Sequence, residues 1–328
     1  MSAAGESDRV GPKPEPNRLD RPHQAQDALW VDLRPGVPPR EPRQRVAIIG
    51  ASGRSGAALC RGLLADNVPV IPVVRDAGRW AATTIPLTPR LADVTRPAAL
   101  RAALADAQAV VSTAHARHAA AVIAAAPPDA RLIFLGSTRK FTRWPDAHGN
   151  GVLDGEAAFM ASGRGGVMLH PTMIYGASGE DNVQRLAALL RRLPLLPLPH
   201  GGNSLVQPIH QNDVSRAIRA ALQRSWDGPH SLVIAGPSAL PYSDFVRAIA
   251  AAAALPPPRI IPVPLAPLLI AAALSRLVPV LPTVRAAEIR RLTEDKAFDI
   301  APMRSALGFE PVPLEEGLAQ TFAVGGQT

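Results

Sequence analysis

Arg45-Val46-Ala47-Ile48-Ile49-Gly50-Ala51-Ser52-Gly53-Arg54-Ser55-Gly56 is the stretch that decides the fold. Its first five residues read as a fully buried strand. The polar, glycine-rich turn runs into Ser55 to Asp66, where Ala58, Leu59, Leu63 and Leu64 cluster on one side of a helix. Three glycines at such a strand–helix junction have separate physical tasks. The first permits a tight turn, the second lets the backbone approach a pyrophosphate, and the third lets helix and strand pack closely. The helix N-terminus then offers N–H groups and a positive dipole end to an anion.

The alternation continues outward from this turn. Val68 to Val74, Leu91 to Val94, Ala109 to Ser112, Arg131 to Leu135 and Val167 to Leu169 read as strands, although Pro69 and Pro72 suit an interior strand poorly. Pro97 to Asp106, Arg117 to Ala126, Asp154 to Ser162 and Asn182 to Leu193 read as helices, and Thr138 to Gly151 as a polar loop. Strands alternating with helices at this spacing predict an α/β fold, a doubly wound parallel sheet of the Rossmann type with a small, mainly helical C-terminal lobe. The expected division is a Pro/Arg-rich disordered tail over 1–44, a nucleotide-binding domain over 45–240, and a C-terminal substrate lobe over 241–328 interleaved with it.

The end of the second strand is where a ribose would be read. An acid there binds the 2′-hydroxyl of NAD, whereas an arginine pairs with the 2′-phosphate of NADP. Arg75 holds that position, with Arg79 one helical turn on and Arg54 inside the glycine turn. NADP(H) is therefore the expected cofactor. NAD stays open, because Asp76 adjoins Arg75.

Composition narrows the remaining classes. The 328 residues are 47% hydrophobic, enough for a large core, and carry a formal charge of +8. No block of consecutive Lys or Arg occurs, and no aromatic residues interleave with basic ones, so nucleic acid is not the expected partner. An anionic small molecule is. Cys60, the single cysteine, cannot form an internal disulfide. The first residues are polar and lack the apolar segment of a secretory leader, which predicts a cytoplasmic protein. Ile260 to Leu281 is the most apolar region, but four prolines and Arg276 interrupt it. It suits a core helix pair, a cover for a lipid-like substrate, or peripheral membrane contact better than a spanning helix. His115 and His118 have helical spacing without a third ligand, so no metal is expected.

With these motifs placed, the chain resembles the short-chain dehydrogenase/reductase superfamily over roughly residues 45 to 325. It is similar to the extended and atypical branches, which include the NAD-dependent epimerase/dehydratases and the proteins like the 39-kDa subunit of complex I. Asp93-Val94 matches the family's Asp-hydrophobic pair, whose carboxylate approaches the adenine. Ser112-Thr113-Ala114 ends the fourth strand, where the family's backbone passes the cofactor. Ser137 falls on the family's catalytic Ser/Thr. His170-Pro171-Thr172-Met173-Ile174-Tyr175-Gly176 resembles the family's Arg-Pro-x-x-hydrophobic-Tyr-Gly, with His in place of Arg. The resemblance implies a cofactor set of Gly50, Ser52, Gly53, Arg54, Ser55, Gly56, Arg75, Asp93, Val94, Ser112, Thr113 and Ala114. His170, Asn182 and His210 are the candidate substrate contacts.

The departure from the family is as informative. Tyr-x-x-x-Lys, its acid/base pair, occurs nowhere, and the only tyrosines are Tyr175 and Tyr242. Aligning Gly155-Glu156 with the family's small-residue-Glu pair puts His148 on the tyrosine position and Val152 on the lysine position. The candidate catalytic residues are then Ser137, His148 as replacement acid/base, and Lys140 in place of the lysine. Two functions follow. One is an oxidoreductase or epimerase/dehydratase acting on a sugar nucleotide or related alcohol/ketone. The other is a catalytically silent NADP(H)-binding sensor or scaffold subunit.

Overall fold

The computed structural model describes residues 44–176, 182–193, 195–274 and 286–324. The expected tail up to residue 43 lies outside the described residues. So do residues 177–181, directly before the candidate substrate contact Asn182, and 275–281 of the apolar region.

In chain order, β1 (Val46–Ile49) runs into α1 (Arg54–Ala65). Then come β2 (Val70–Val74), α2 (Ala77–Ala81), β3 (Arg90–Leu91), α3 (Pro97–Leu104), β4 (Ala109–Ser112), α4 (Ala119–Ala125), β5 (Arg131–Leu135), α5 (Ala147–Ala161), β6 (Gly166–Pro171) and β7 (Ile174–Tyr175). There follow α6 (Asn182–Arg192), β8 (Leu195–Pro199), β9 (Leu205–Val206), β10 (Ile209–His210), α7 (Gln211–Gln223) and β11 (Pro229–Ile234). The chain closes with β12 (Leu240–Pro241), α8 (Tyr242–Ala252), β13 (Arg259–Val263), α9 (Leu265–Leu274), α10 (Ala286–Arg291), α11 (Ala301–Leu307) and α12 (Leu314–Val324).

Among the described residues, a seven-stranded sheet has the order β3-β2-β1-β4-β5-β6-β11, and every neighbouring pair is parallel. Successive side chains of a strand point to opposite faces. Val46 and Ile48 accordingly enter a core with Leu59, Cys60 and Leu63 of α1 and Val214, Ile218 and Ala221 of α7. Ala47 and Ile49 enter the opposite core with Leu100 and Leu104 of α3, Val122 of α4 and Phe159 of α5. Strands buried on both faces explain the nearly continuous apolar runs. A smaller cluster joins Tyr175 and Val183 to Phe245, Ile249 and Leu318, so segments on both sides of residue 240 build it.

Pro72 is tolerated in β2 for a local reason. Pro69 and Val73 present their carbonyls to Val46 and Gly50 at 2.9 and 3.0 Å, whereas Val74 presents its carbonyl to Ala92 on the β3 side at 2.9 Å. Pro72 shares the side of Val74, and β3 begins pairing only at Val73. The missing N–H thus falls where no ladder partner stands. The third strand is shorter than expected, because Asp93 turns the chain by binding Thr95.

The loop reading of Thr138 to Gly151 is corrected by the structure. Thr138–Phe141 forms a 3₁₀ turn, and α5 starts at Ala147. Asp146 caps it, accepting from the N–H groups of His148 and Gly149 at 3.0 and 2.8 Å. Glycines hid this helix, since each costs about 1 kcal/mol of propensity relative to Ala. Close packing offsets that cost. A Cβ on Gly151 would lie 3.1 Å from His115 and Arg117, and one on Gly155 would lie 2.0 Å from the Ala116 carbonyl oxygen.

Gly155→Ala should therefore lower unfolding stability by about 1–3 kcal/mol in a denaturant melt. Gly228→Ala, where an added Cβ meets nothing within 4 Å, should change it by less than about 0.5 kcal/mol.

Candidate cofactor and proton-transfer site

The glycine turn opens at the carboxyl end of β1. Gly50 has φ of +79°, which an L side chain rarely adopts, and Gly56 lies so close that a Cβ there would be 2.3 Å from the Gly50 oxygen. At Gly53 a Cβ would meet only that same oxygen, at 3.2 Å, leaving the rest of its surface open. The first helical bond of α1 runs from Ala57 N–H to the Gly53 carbonyl at 2.8 Å. Gly53 supplies no capping side chain, and the first turn contains no acid. Among the described residues no acid caps the positive end of α1, and the turn fits a dinucleotide pyrophosphate.

Neighbouring side chains hold this turn rather than fill it. Thr113 Oγ1 donates toward the carbonyls of Ile49 and Gly50 at 2.9 and 3.2 Å. Ser55 Oγ donates to Gln211 Oε1 at 3.0 Å. Ser112 is buried in β4, and Val94 and Ala114 pack against the core.

The ribose end is arranged around two acids with fixed tasks. Asp76 caps α2, its Oδ1 accepting from Arg79 N–H at 3.1 Å. Asp93 accepts from Thr95 N–H and Oγ1 at 2.8 and 2.7 Å. Those bonds, with the charges of Arg75 and Arg96, hold the Asp93 carboxyl below the usual range. Arg75, directly after β2, is exposed and near enough to Asp93 for their charges to interact.

The structure brings Ser137, Lys140 and His170 into one network. Ser137 Oγ caps the 3₁₀ turn by accepting from Arg139 N–H at 3.1 Å, and Ser137 N–H donates to His170 Nδ1 at 3.2 Å. Lys140 Nζ donates to both oxygens of Glu156 at 2.6 Å and lies 3.3 Å from His170 Nε2. Ser231 Oγ completes the group by donating to Glu156. Because His170 Nδ1 is an acceptor, its proton belongs on Nε2, which faces Glu156 Oε1 at 3.4 Å. Burial, reinforced by the Lys140 charge, pushes His170 down to about 4. Burial opposes ionisation of Glu156, but hydrogen bonds from Lys140 and Ser231 hold its carboxyl below the usual value. Glu156 and Ser231 were not among the expected site residues. Lys140 and Glu156 are 16 positions apart, and no local pattern would pair them.

His148 sits elsewhere, in the first turn of α5, half-buried. Its ring meets that of His115 edge-on with centroids 4.3 Å apart. His115 Nδ1 accepts from Arg117 N–H at 3.1 Å, and its buried Nε2 has no partner among the described residues. Burial and the charge of Arg139 hold His148 below the ordinary histidine range. Burial and His148 push His115 down to about 4. The remaining two candidates lie apart in sequence and element: His210 accepts from Asn212 N–H at the start of α7 and stacks edge-on with Tyr175, while Asn182 opens α6.

A pocket of about 280 Å³ adjoins the Thr138–Arg143 turn, lined there by Phe141 and opposite by Glu294, Lys296 and Phe298. Buried Glu294 accepts from Thr142 Oγ1 at 2.8 Å and Arg143 N–H at 2.7 Å. The C-terminal segment is thereby tied to the turn that carries Ser137. These contacts join positions 152 and 151 residues apart and gave no signal in the sequence.

Residues 50–150 match a family described as NAD(P)H-binding. No curated protein matches the chain. Solved structures do, at identities that speak to fold alone. The NADPH-dependent quinone oxidoreductase QOR2 of Escherichia coli, complexed with NADPH, is 19% identical, with a TM-score of 0.66 over 84% of this chain and 99% of that one. A triphenylmethane reductase of Citrobacter sp. is 16% identical, with a TM-score of 0.66 over 85% and 99%. The dTDP-glucose 4,6-dehydratase DesIV of Streptomyces venezuelae, a double mutant with NAD and DAU bound, is 16% identical, with a TM-score of 0.66 over 87% and 97%. These likenesses show a Rossmann-type α/β fold, shared with reductases and a dehydratase among the solved structures.

The depressed histidines fix a sign for acid stability. His170 is neutral in the folded protein down to about pH 4 and protonates near 6.5 when unfolded. Its contribution is complete above pH 6.5 and is lost as pH falls toward 4. Denaturant melts across this window should show stability dropping by about 1.4 kcal/mol per pH unit for each such histidine. His170→Asn, which keeps an acceptor for Ser137 N–H, should flatten the slope by roughly one histidine's share.

Proposed function

We propose that this protein is an NADP(H)-dependent oxidoreductase for a small alcohol/carbonyl pair, in which His148 replaces the missing tyrosine as the proton-transfer group. The observation that carries this reading is the His148–His115 pair. An accessible imidazole, held neutral by burial and by Arg139, stands in the first turn of α5 on the position where the family places its acid/base. When bound, the nicotinamide supplies or accepts the hydride. His148 takes the hydroxyl proton as an alcohol is oxidised and returns it as a carbonyl is reduced. His115 orients it through the ring contact. Ser137, its backbone N–H held by His170, hydrogen-bonds the reacting oxygen. Lys140 serves by position: Glu156 engages its ammonium, and the pair anchors the 3₁₀ turn to α5.

NADP is favoured over NAD by the fate of Asp76. Its carboxylate is used at the N-terminus of α2, so Arg75 is left to meet a 2′-phosphate. The pocket beside the Thr138–Arg143 turn is the proposed substrate site, and its lining of Arg143 and Lys296 with Glu294 and Asp295 suits a polar substrate.

Calorimetric titration should show NADPH binding more tightly than NADH, and Arg75→Ala should erase most of the difference, with a loss of about tenfold or more for NADPH. Equal affinities for both would refute the assignment of Arg75.

His148→Gln should retain NADPH binding and lower kcat about 10²–10⁴-fold in the reaction found by a carbonyl and quinone screen. In the oxidation direction kcat/KM should rise with pH through a value below the ordinary histidine range and level off by neutrality, since the unprotonated imidazole is the base. An unchanged rate and profile in the variant would remove His148 from the mechanism.

A further inference from the structure

Outside the cofactor turn, the β8–β13 ribbon and the helix α9 that follows it in the chain both expose apolar side chains. The two strands pair in parallel with Leu195 beside Arg259 and Pro197 beside Ile261. These four residues share one exposed face of the ribbon, while Leu196 and Leu198 turn into a small core with Val246. Leu193 and Leu195 are each 46% exposed, and Ile261 is 42% exposed. From β13 the chain passes through Pro264 into α9, Leu-Ala-Pro-Leu-Leu-Ile-Ala-Ala-Ala-Leu, which has no polar residue. None of its positions 265–270 is buried, and Ile270 is 61% exposed. A helix facing water ordinarily turns a polar side to it. An uncovered face of this kind marks a contact site.

The charge around it selects the partner. The protein has 27 Asp and Glu in 328 residues, yet none from Asn182 to His200 and none from Phe245 to Ala287. The same two stretches contain Arg185, Arg191, Arg192, Arg247, Arg259, Arg276 and Arg285. Arg191 and Arg192 are exposed at the end of α6, directly before Leu193, and exposed Arg259 flanks Leu195. A two-fold pairing of this face with a second copy would set these arginines against one another. An anionic lipid surface meets both the apolar residues and the arginines. The ten described residues of α9 extend about 15 Å, half the hydrocarbon thickness, and no helix among the described residues is long and apolar enough to cross a membrane.

We infer that the β8–β13–α9 face docks on an anionic lipid bilayer, with Leu195, Ile261 and Ile270 at the headgroup boundary and Arg191, Arg192 and Arg259 against lipid anions. The test is flotation of the full chain with phosphatidylcholine vesicles, with and without phosphatidylglycerol. The protein should float with the mixed vesicles at low salt and be released by high salt. Arg191→Gln/Arg192→Gln should lower the partition coefficient by roughly tenfold or more. Ile261→Asp/Ile270→Asp should abolish flotation while keeping the wild-type Tm, since both side chains already face water. In a separate variant, Ile270→Trp, emission should shift to the blue on adding the mixed vesicles. Absence of flotation, equal flotation with phosphatidylcholine alone, or an Asp variant that floats like wild type would each overturn the inference. So would a salt-stable dimer broken by Ile261→Asp/Ile270→Asp in a chain that does not float.

Discussion

Two helices approach backbone more closely than any side chain would allow, and the rest of the molecule depends on that approach. A Cβ on Gly56 would stand 2.3 Å from the Gly50 oxygen, and one on Gly155 would stand 2.0 Å from the Ala116 oxygen. The first contact seats α1 over the end of β1, which brings its N-terminus beside the bare surface at Gly53, an arrangement that suits an anion. The second seats α5 against the segment after β4 and brings His148 to His115. Both halves of the candidate site, the glycine turn and the His148–His115 pair, are consequences of missing side chains.

Polar groups then fix what the glycines permit. Lys140, Glu156, His170 and Ser231 form a network in which each member is paired, the condition under which buried charge is tolerated. It ties the turn after β5 to α5, β6 and β11 and leaves Ser137 N–H held by a neutral imidazole. Glu294 closes the other side by binding Thr142 and Arg143. The pocket beside the Thr138–Arg143 turn is bounded by Glu294 and Phe298 without a ligand in place, and so is preformed.

How much of this was legible in the sequence followed the range of the interactions. The glycine turn, the buried strands and the parallel sheet are local patterns with short periods, and they were readable. Arg75 could be placed because it ends a strand, whereas the use of Asp76 as a helix cap required coordinates. The first half of α5 was hidden, because the glycines that let it pack also erase its propensity. The Lys140–Glu156 pair spans 16 positions and the Glu294 contact about 150, and no periodicity links such residues. The apolar character of α9 was plain, but its exposure was not.

The most direct test of the account separates the ligand from the fold at one atom. Gly53 has ordinary backbone angles, φ −78° and ψ 165°, and an added methyl would meet only the Gly50 oxygen at 3.2 Å. Thermal unfolding of Gly53→Ala, with and without NADPH, is the measurement. The account predicts a Tm without NADPH close to that of the wild-type chain, and loss of the NADPH-induced rise that the wild type shows. A rise of equal size in the variant, or no rise in either protein, would contradict the placing of the pyrophosphate on this turn.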